Sequence, residues 1–96
     1  MCIRDRFICI LKPVRQNLID TLTEEESKIL LDHFSYLKNS GRVRLAGPCE
    51  DTSFGVTIFD ADDLSAANNF ILNDPVIQNG IMTHELKAFK VSINNF

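Results

Sequence analysis

With 96 residues and 10.9 kDa, the chain has room for one domain, and a fold of this size buries only about two-thirds of its unfolded surface, so self-association would help it. An apolar fraction of 45%, a charged fraction of 24% and a mean hydropathy of −0.01 are those of a globular protein; they exclude a disordered tail and, with no run near the ~20 apolar residues of a membrane helix, a helical membrane spanner. A net charge of −3 excludes a basic nucleic-acid binder, and three cysteines, Cys2, Cys9 and Cys49, with no Cys-x-x-Cys pair, exclude a disulfide scaffold, a zinc ribbon and a thioredoxin-type redox pair.

The opening hexapeptide Met1–Arg6 carries charges that interrupt the start of a strand. It is expected to be a frayed or non-native extension, with the domain spanning residues 7–96. The apolar run that follows is too short for the core of a secretory signal, which gives a cytoplasmic reading. Phe7–Leu11 is apolar, short and rich in strand formers, and Lys12-Pro13 ends it. Val14–Leu22 is a connector. Thr23 and Glu26 fit a capping box, with Glu24, Glu25 and Glu26 favouring the positive end of a helix that runs to about Ser40 and stops at Gly41. Val43–Ala46 is a short strand closed by Gly47-Pro48, Cys49–Ser53 a hairpin loop, and Phe54–Asp60 a second strongly patterned strand. Ala61–Asn73 reads as a helix capped by Asp62 or Asp63, stopped by Asp74-Pro75 because a residue before proline avoids the α region. Val76–Asn79 forms one more turn ending at Gly80, and Met82–Ile93 is the last strand.

The order β-α-β-β-α-β predicts an α+β, ferredoxin-like plait with a four-stranded antiparallel sheet. The two apolar strands are central; the edges carry Arg42, Arg44, Lys87 and Lys90, as edge protection demands. Phe7, Cys9 and Leu11 point to one face of the sheet and Ile8 and Ile10 to the other. In the third strand Phe54, Val56 and Ile58 oppose Thr57 and Phe59. Both faces are therefore apolar while the helices cover one. A second copy of the chain is the expected cover, making a homodimer.

On a helical wheel His33 falls between Ile29 and Leu37, with Leu30 and Phe34 on the same stripe and Leu31 on the polar side. A histidine inside an apolar stripe needs partners for its ring nitrogens. It is either a satisfied core residue or a poised acid or base. Tyr36, near the stripe, offers a pocket hydroxyl, and Gly47-Pro48 turns the chain beside the pocket; both are candidate substrate-binding features. Cys49 reads as a loop cysteine and Cys9 as a small core residue. His84 reads as a surface or sheet-face residue. His33, His84, Cys49 and Asp74 show no metal-ligand spacing, so no metal is expected. Asp74 taken alone is a turn residue as readily as a site residue.

Five segments together, Phe7-Ile-Cys-Ile-Leu, Asp32-His-Phe-Ser-Tyr-Leu, Leu45-Ala-Gly-Pro, Ser53-Phe-Gly-Val, and Asn73-Asp-Pro with Gly80, resemble the YciI-like (YCII-related) family over about Phe7–Phe96. The resemblance implies a dimeric α+β barrel and a polar pair made of a helix histidine and an aspartate before proline, His33 and Asp74 here. It also implies an enzymatic role for that pair, some members resembling lyases that act on hydroxylated, halogenated aromatic rings. The expectation is a cofactor-free lyase or isomerase acting by proton transfer on a small cyclic or aromatic oxygenated substrate, His33 serving as base or acid and Asp74 orienting it. The alternative is a non-catalytic small-ligand binding or interaction module. The environment of His33 discriminates them: a pair opening into a cavity favours the enzyme, a sealed pair the module.

Overall fold

The computed structural model describes residues 5–95. Strands β1 (Asp5–Pro13), β2 (Val43–Pro48), β3 (Gly55–Ala61) and β4 (Met82–Phe89) form an antiparallel sheet in the order β2-β3-β1-β4. Helix α1 (Glu24–Asn39) connects β1 to β2, and α2 (Leu64–Leu72) and the single turn α3 (Pro75–Gln78) connect β3 to β4. This is the expected βαββαβ order with the two apolar strands in the centre. Among the described residues no helix is long and apolar enough to cross a membrane.

Local chemistry sets the element ends. The Thr23 hydroxyl accepts from the Glu26 N–H (3.1 Å), and the Glu26 carboxylate accepts from the Thr23 N–H (2.9 Å), completing the capping box. The same carboxylate takes two hydrogen bonds from the Arg15 guanidinium, at 2.6 and 2.9 Å. Asp63 caps α2 through the Ala66 N–H, and Asp74 caps α3, where Pro75 takes the first helical position. Gly41 and Gly80 leave their helices at φ +71° and +68°, a conformation that favours glycine.

Several boundaries differ from the expectation for reasons of pairing; β1 runs on through Lys12 and Pro13, which pair with Thr83 and Met82, and β3 starts at Gly55, one residue after Phe54. β1 starts at Asp5, because Asp5 and Arg6 continue the ladder opposite Ala61 and Asp60; residues 1–4 of the expected extension lie outside the described residues. Ala61 stays in β3 for the same reason, so α2 begins at Leu64. β2 runs on through Gly47 and Pro48, which pair with Val56 and Gly55. β4 ends at Phe89 rather than Ile93, since Arg6–Phe89 is its last pair with β1.

The core lies between the sheet and the helices. Phe7, Cys9 and Leu11 of β1 and Phe59 of β3 meet Ala67, Phe70 and Ile71 of α2, Val76 of α3 and Leu18 of the connector, all buried. The Phe59 ring lies 6.0 Å from Phe7 and 4.9 Å from Phe70. Each large side chain so buried contributes about 1.5–3 kcal/mol. On the opposite face stand Ile8, Ile10, Val56 and Ile58, partly exposed, with Leu45 at 53%. There Asp60 accepts hydrogen bonds from Arg6 (2.9 Å) and Arg44 (2.7 Å), joining β1, β3 and β2.

β2 carries an irregularity: Val43 pairs with Phe59 and Leu45 with Ile58, leaving Arg44 as the extra residue of a bulge. The extra residue turns Leu45 to the outer face and sets Ala46 opposite Thr57 on the helix side. Helix α1 packs mainly against α3. A space therefore remains between α1 and the sheet, and Phe34, expected in the buried stripe, borders that space and is 54% exposed.

Candidate functional site

That space is a cavity of about 530 Å³, within the range of small-molecule sites. Its walls are mostly apolar, among them Leu11, Leu30, Leu37, Val43, Phe54 and Met82. Four polar side chains border it: His33, Lys38, Thr52 and Thr57. Lys38 is exposed, and the Thr52 hydroxyl donates to the Asp51 carbonyl at 2.7 Å.

His33 enters from the buried face of α1. Asp74 stands behind it at the start of α3, fully buried. The His33 Nδ1 lies 2.7 Å from Oδ1 and 2.8 Å from Oδ2 of Asp74, and Oδ1 also accepts from the Val76 N–H at 3.1 Å. Pro75 fixes the turn, and the cap bond fixes the carboxylate. A carboxylate can only accept, so Nδ1 carries the proton of the neutral ring and Nε2 holds the free lone pair. Nε2 bonds to no described residue, and no enclosed side-chain nitrogen or oxygen among them lacks a partner. Nε2 therefore reaches accessible space, and His33 borders the cavity. The pair is thus open on one side and not sealed in the core.

Asp74 itself does not reach the cavity. Its carboxylate is committed to His33 and to the α3 cap. Gly47 and Pro48 do border the cavity, through the extension of β2. A Cβ at Gly47 would meet nothing within 4 Å, so chain packing does not demand the glycine.

Tyr36 is not part of this site. Three residues beyond His33 it is turned about 60° around the helix. Its hydroxyl donates to the Phe70 carbonyl at 2.6 Å, and its ring stacks on Phe70 at 5.1 Å. It borders a separate open groove with Arg42, Asn69 and Asn73. Burial, helped by the Asp74 charge, raises the Tyr36 phenol above its ordinary range.

The thiols divide by environment. Burial, with the Asp74 charge adding to it, pushes Cys9 up to about 12, which leaves it without thiolate character at neutral pH. Cys49 is half-buried in the hairpin loop and does not border the cavity. His84 is half-buried on the helix-side face of β4, opposite Leu11. Among the described residues no three of His, Cys, Asp and Glu stand where they could share a metal ion.

Sequence reasoning passed over Thr57 and Lys38 as site residues. Thr57 did carry a signal: it is the polar member of the inward-facing positions of a central strand.

A family model, the YCII-related domain, matches residues 6–90. Among solved structures, 5-chloro-2-hydroxyhydroquinone dehydrochlorinase (TftG) from Burkholderia phenoliruptrix AC1100, in complex with 2,5-dihydroxybenzoquinone, has a similar fold. The TM-score is 0.66 at 17% identity over 88% of this chain and 93% of that one. No protein with a curated description matches the sequence.

Proposed function

The chain belongs to the YCII-related domain family, and from its geometry we propose that it is a cofactor-free enzyme of lyase or isomerase type. In this reading His33 moves a proton on a small oxygenated cyclic or aromatic substrate held in the apolar cavity. The observation that carries the reading is the buried Asp74–His33 pair, whose free Nε2 meets a mostly apolar cavity.

The chemistry follows from the pair. Nε2 accepts a proton from a substrate hydroxyl or an acidic carbon, and the imidazolium that forms is stabilised by the Asp74 carboxylate at Nδ1. The proton then returns to another substrate atom, which is isomerisation, or passes to water as a leaving group departs, which is elimination. General acid–base catalysis of this kind contributes ~10²–10⁴-fold. The apolar walls limit the water that competes for Nε2. The TftG ligand, a small oxygenated ring, is of the size and character that such a cavity suits.

We further propose that the protein works in the cytoplasm as a homodimer, the outer face of the sheet covering itself with a second copy. No other macromolecule, nucleic acid or membrane is invoked.

The test is turnover of a halogenated hydroxyhydroquinone, followed by halide release, and of non-halogenated analogues, followed by isomerisation. H33Q and D74N should each abolish turnover, and the double variant should be scarcely worse than either, since groups acting as a unit are non-additive. Ligand binding without any turnover by the native protein would favour the non-catalytic module.

A further inference from the structure

The proposed function leaves unanswered how an apolar cavity would recognise an oxygenated ring. Thr57 lies on the helix-side face of β3, between Cys9 of β1 and Ala46 of β2 in the ladder, and is 2% exposed. Its side chain borders the cavity. Its hydroxyl makes no hydrogen bond to another described residue, yet no enclosed side-chain oxygen among those residues is orphaned. The hydroxyl therefore opens on accessible space, and with the residue so deeply buried that space is the cavity.

Two further facts locate it against the acid–base pair. Cys9, its direct neighbour across the ladder, lies close enough to Asp74 to feel that charge. Thr57 thus belongs to the sheet side of the cavity, while His33 enters from α1. The other hydroxyl bordering the cavity, on Thr52, is already engaged with the Asp51 carbonyl, and Lys38 is exposed. The surrounding walls, Leu11, Leu37 and Val43, offer no partner. A ligand that fills the cavity and covers this hydroxyl without pairing it leaves it desolvated at a cost, so the site rejects ligands that cannot complete it.

We propose that Thr57 is the specificity-determining residue of the cavity. It binds an oxygen substituent of a ring whose reacting edge faces His33 Nε2. As a hydroxyl it donates to a carbonyl or phenolate oxygen and accepts from a phenol. The substrate class is a ring with a hydroxyl or carbonyl group directed at the sheet; the same ring without that oxygen is discriminated against. The inference rests on the proposed use of this cavity as the substrate site.

The test compares 4-fluorophenol with 4-fluorotoluene, both followed by fluorine NMR. The native protein should prefer the phenol. T57V, which keeps the shape and removes the hydroxyl, should weaken phenol binding about 3–10-fold and leave toluene binding unchanged or tighter. T57S should restore the preference. Should T57V not fold, T57A reads the same ratio. An unchanged ratio in the hydroxyl-free variant, or a native protein that binds neither probe, overturns the inference. H33Q separates the two readings. If T57V shifts the ratio while H33Q still turns over substrate, proton transfer by His33 is wrong and Thr57 stands. If H33Q is inactive while T57V leaves the ratio alone, only the role of Thr57 is wrong.

Discussion

Asp74 serves two neighbours with one carboxylate, and its substitutions separate those duties. An asparagine can still accept from the Val76 N–H, but its amide N–H₂ then faces His33 Nδ1. That group competes with the ring N–H for the place beside Nδ1 and favours the tautomer with its proton on Nε2, which weakens the base in the cavity, and a neutral amide no longer stabilises the imidazolium. D74N should therefore fold nearly as the native protein does and be inactive. D74A should lose both partners and cost about 1–3 kcal/mol for each of the two nitrogens left unpaired, His33 Nδ1 and the Val76 N–H, read as a lower denaturation midpoint. Cys9 gives a chemical check on burial. With its thiol at about 12, it should resist iodoacetamide at neutral pH while Cys49 reacts, read by peptide mass mapping, and both should react after unfolding. His33 was legible as a buried polar residue because four apolar residues, Ile29, Leu30, Phe34 and Leu37, share its stripe. The tie to Asp74 was legible only through the family resemblance, since a contact spanning forty-one positions leaves no trace in local periodicity. Tyr36 misled for a related reason: nearness to the stripe does not say which of two neighbouring grooves a hydroxyl enters.

Among the elements, α1 has the most fully written terminus. Its capping box was readable from Thr23 and Glu26 because both partners lie within one turn. T23A should cost about 1 kcal/mol, measured as a shift in thermal midpoint. The Arg15 hydrogen bonds, with help from the Thr23 N–H, hold Glu26 down at about 2. A carboxyl-carbon NMR titration should find that midpoint in the native protein, and R15A should bring it back toward the ordinary carboxylate range. A carboxyl lowered in the folded state contributes stability above its unfolded value and loses it as pH falls through the folded one. The first turn of α1 should thus persist in acid that protonates other carboxylates. β1 was harder to read. Arg6 looked like an interruption of the strand, yet it points to the outer face, where Asp60, on a strand distant in sequence, receives it.

At the scale of the molecule, Asp60 ties three strands on the face away from the helices. Burial pushes its carboxyl up, but hydrogen bonds from Arg6 and Arg44 and their charges outweigh this and hold it low. Its contribution is therefore complete above the ordinary carboxylate range and fades as pH falls below about 4. D60N should show a flatter loss of thermal stability with acid than the native protein. The same face carries Ile8, Ile10 and Ile58, and dimerisation through it should give a sedimenting mass of about 22 kDa, twice the 10.9 kDa chain. A well-folded monomer at micromolar concentration would contradict it. The topology was legible because alternation, caps and turn residues agreed at every step. The cavity was not: it exists because α1 leans on α3 instead of the sheet, a choice made by packing between elements far apart in sequence.

The extra residue in β2 has a consequence for how this chain tolerates change. Substitutions at the two residues after Arg44 act on separate surfaces: Leu45 belongs to the outer face, Ala46 to the rim of the cavity. Deleting the single residue Arg44 would close the bulge without changing the register beyond it. Val43, Leu45 and Ala46 would still meet Phe59, Ile58 and Thr57 and keep their faces, now in strict alternation, while the local bend would relax and Asp60 would lose one of its two cations. The bulge is thus a place in β2 where a residue can be lost while the cavity-facing and outward-facing side chains stay on their own sides.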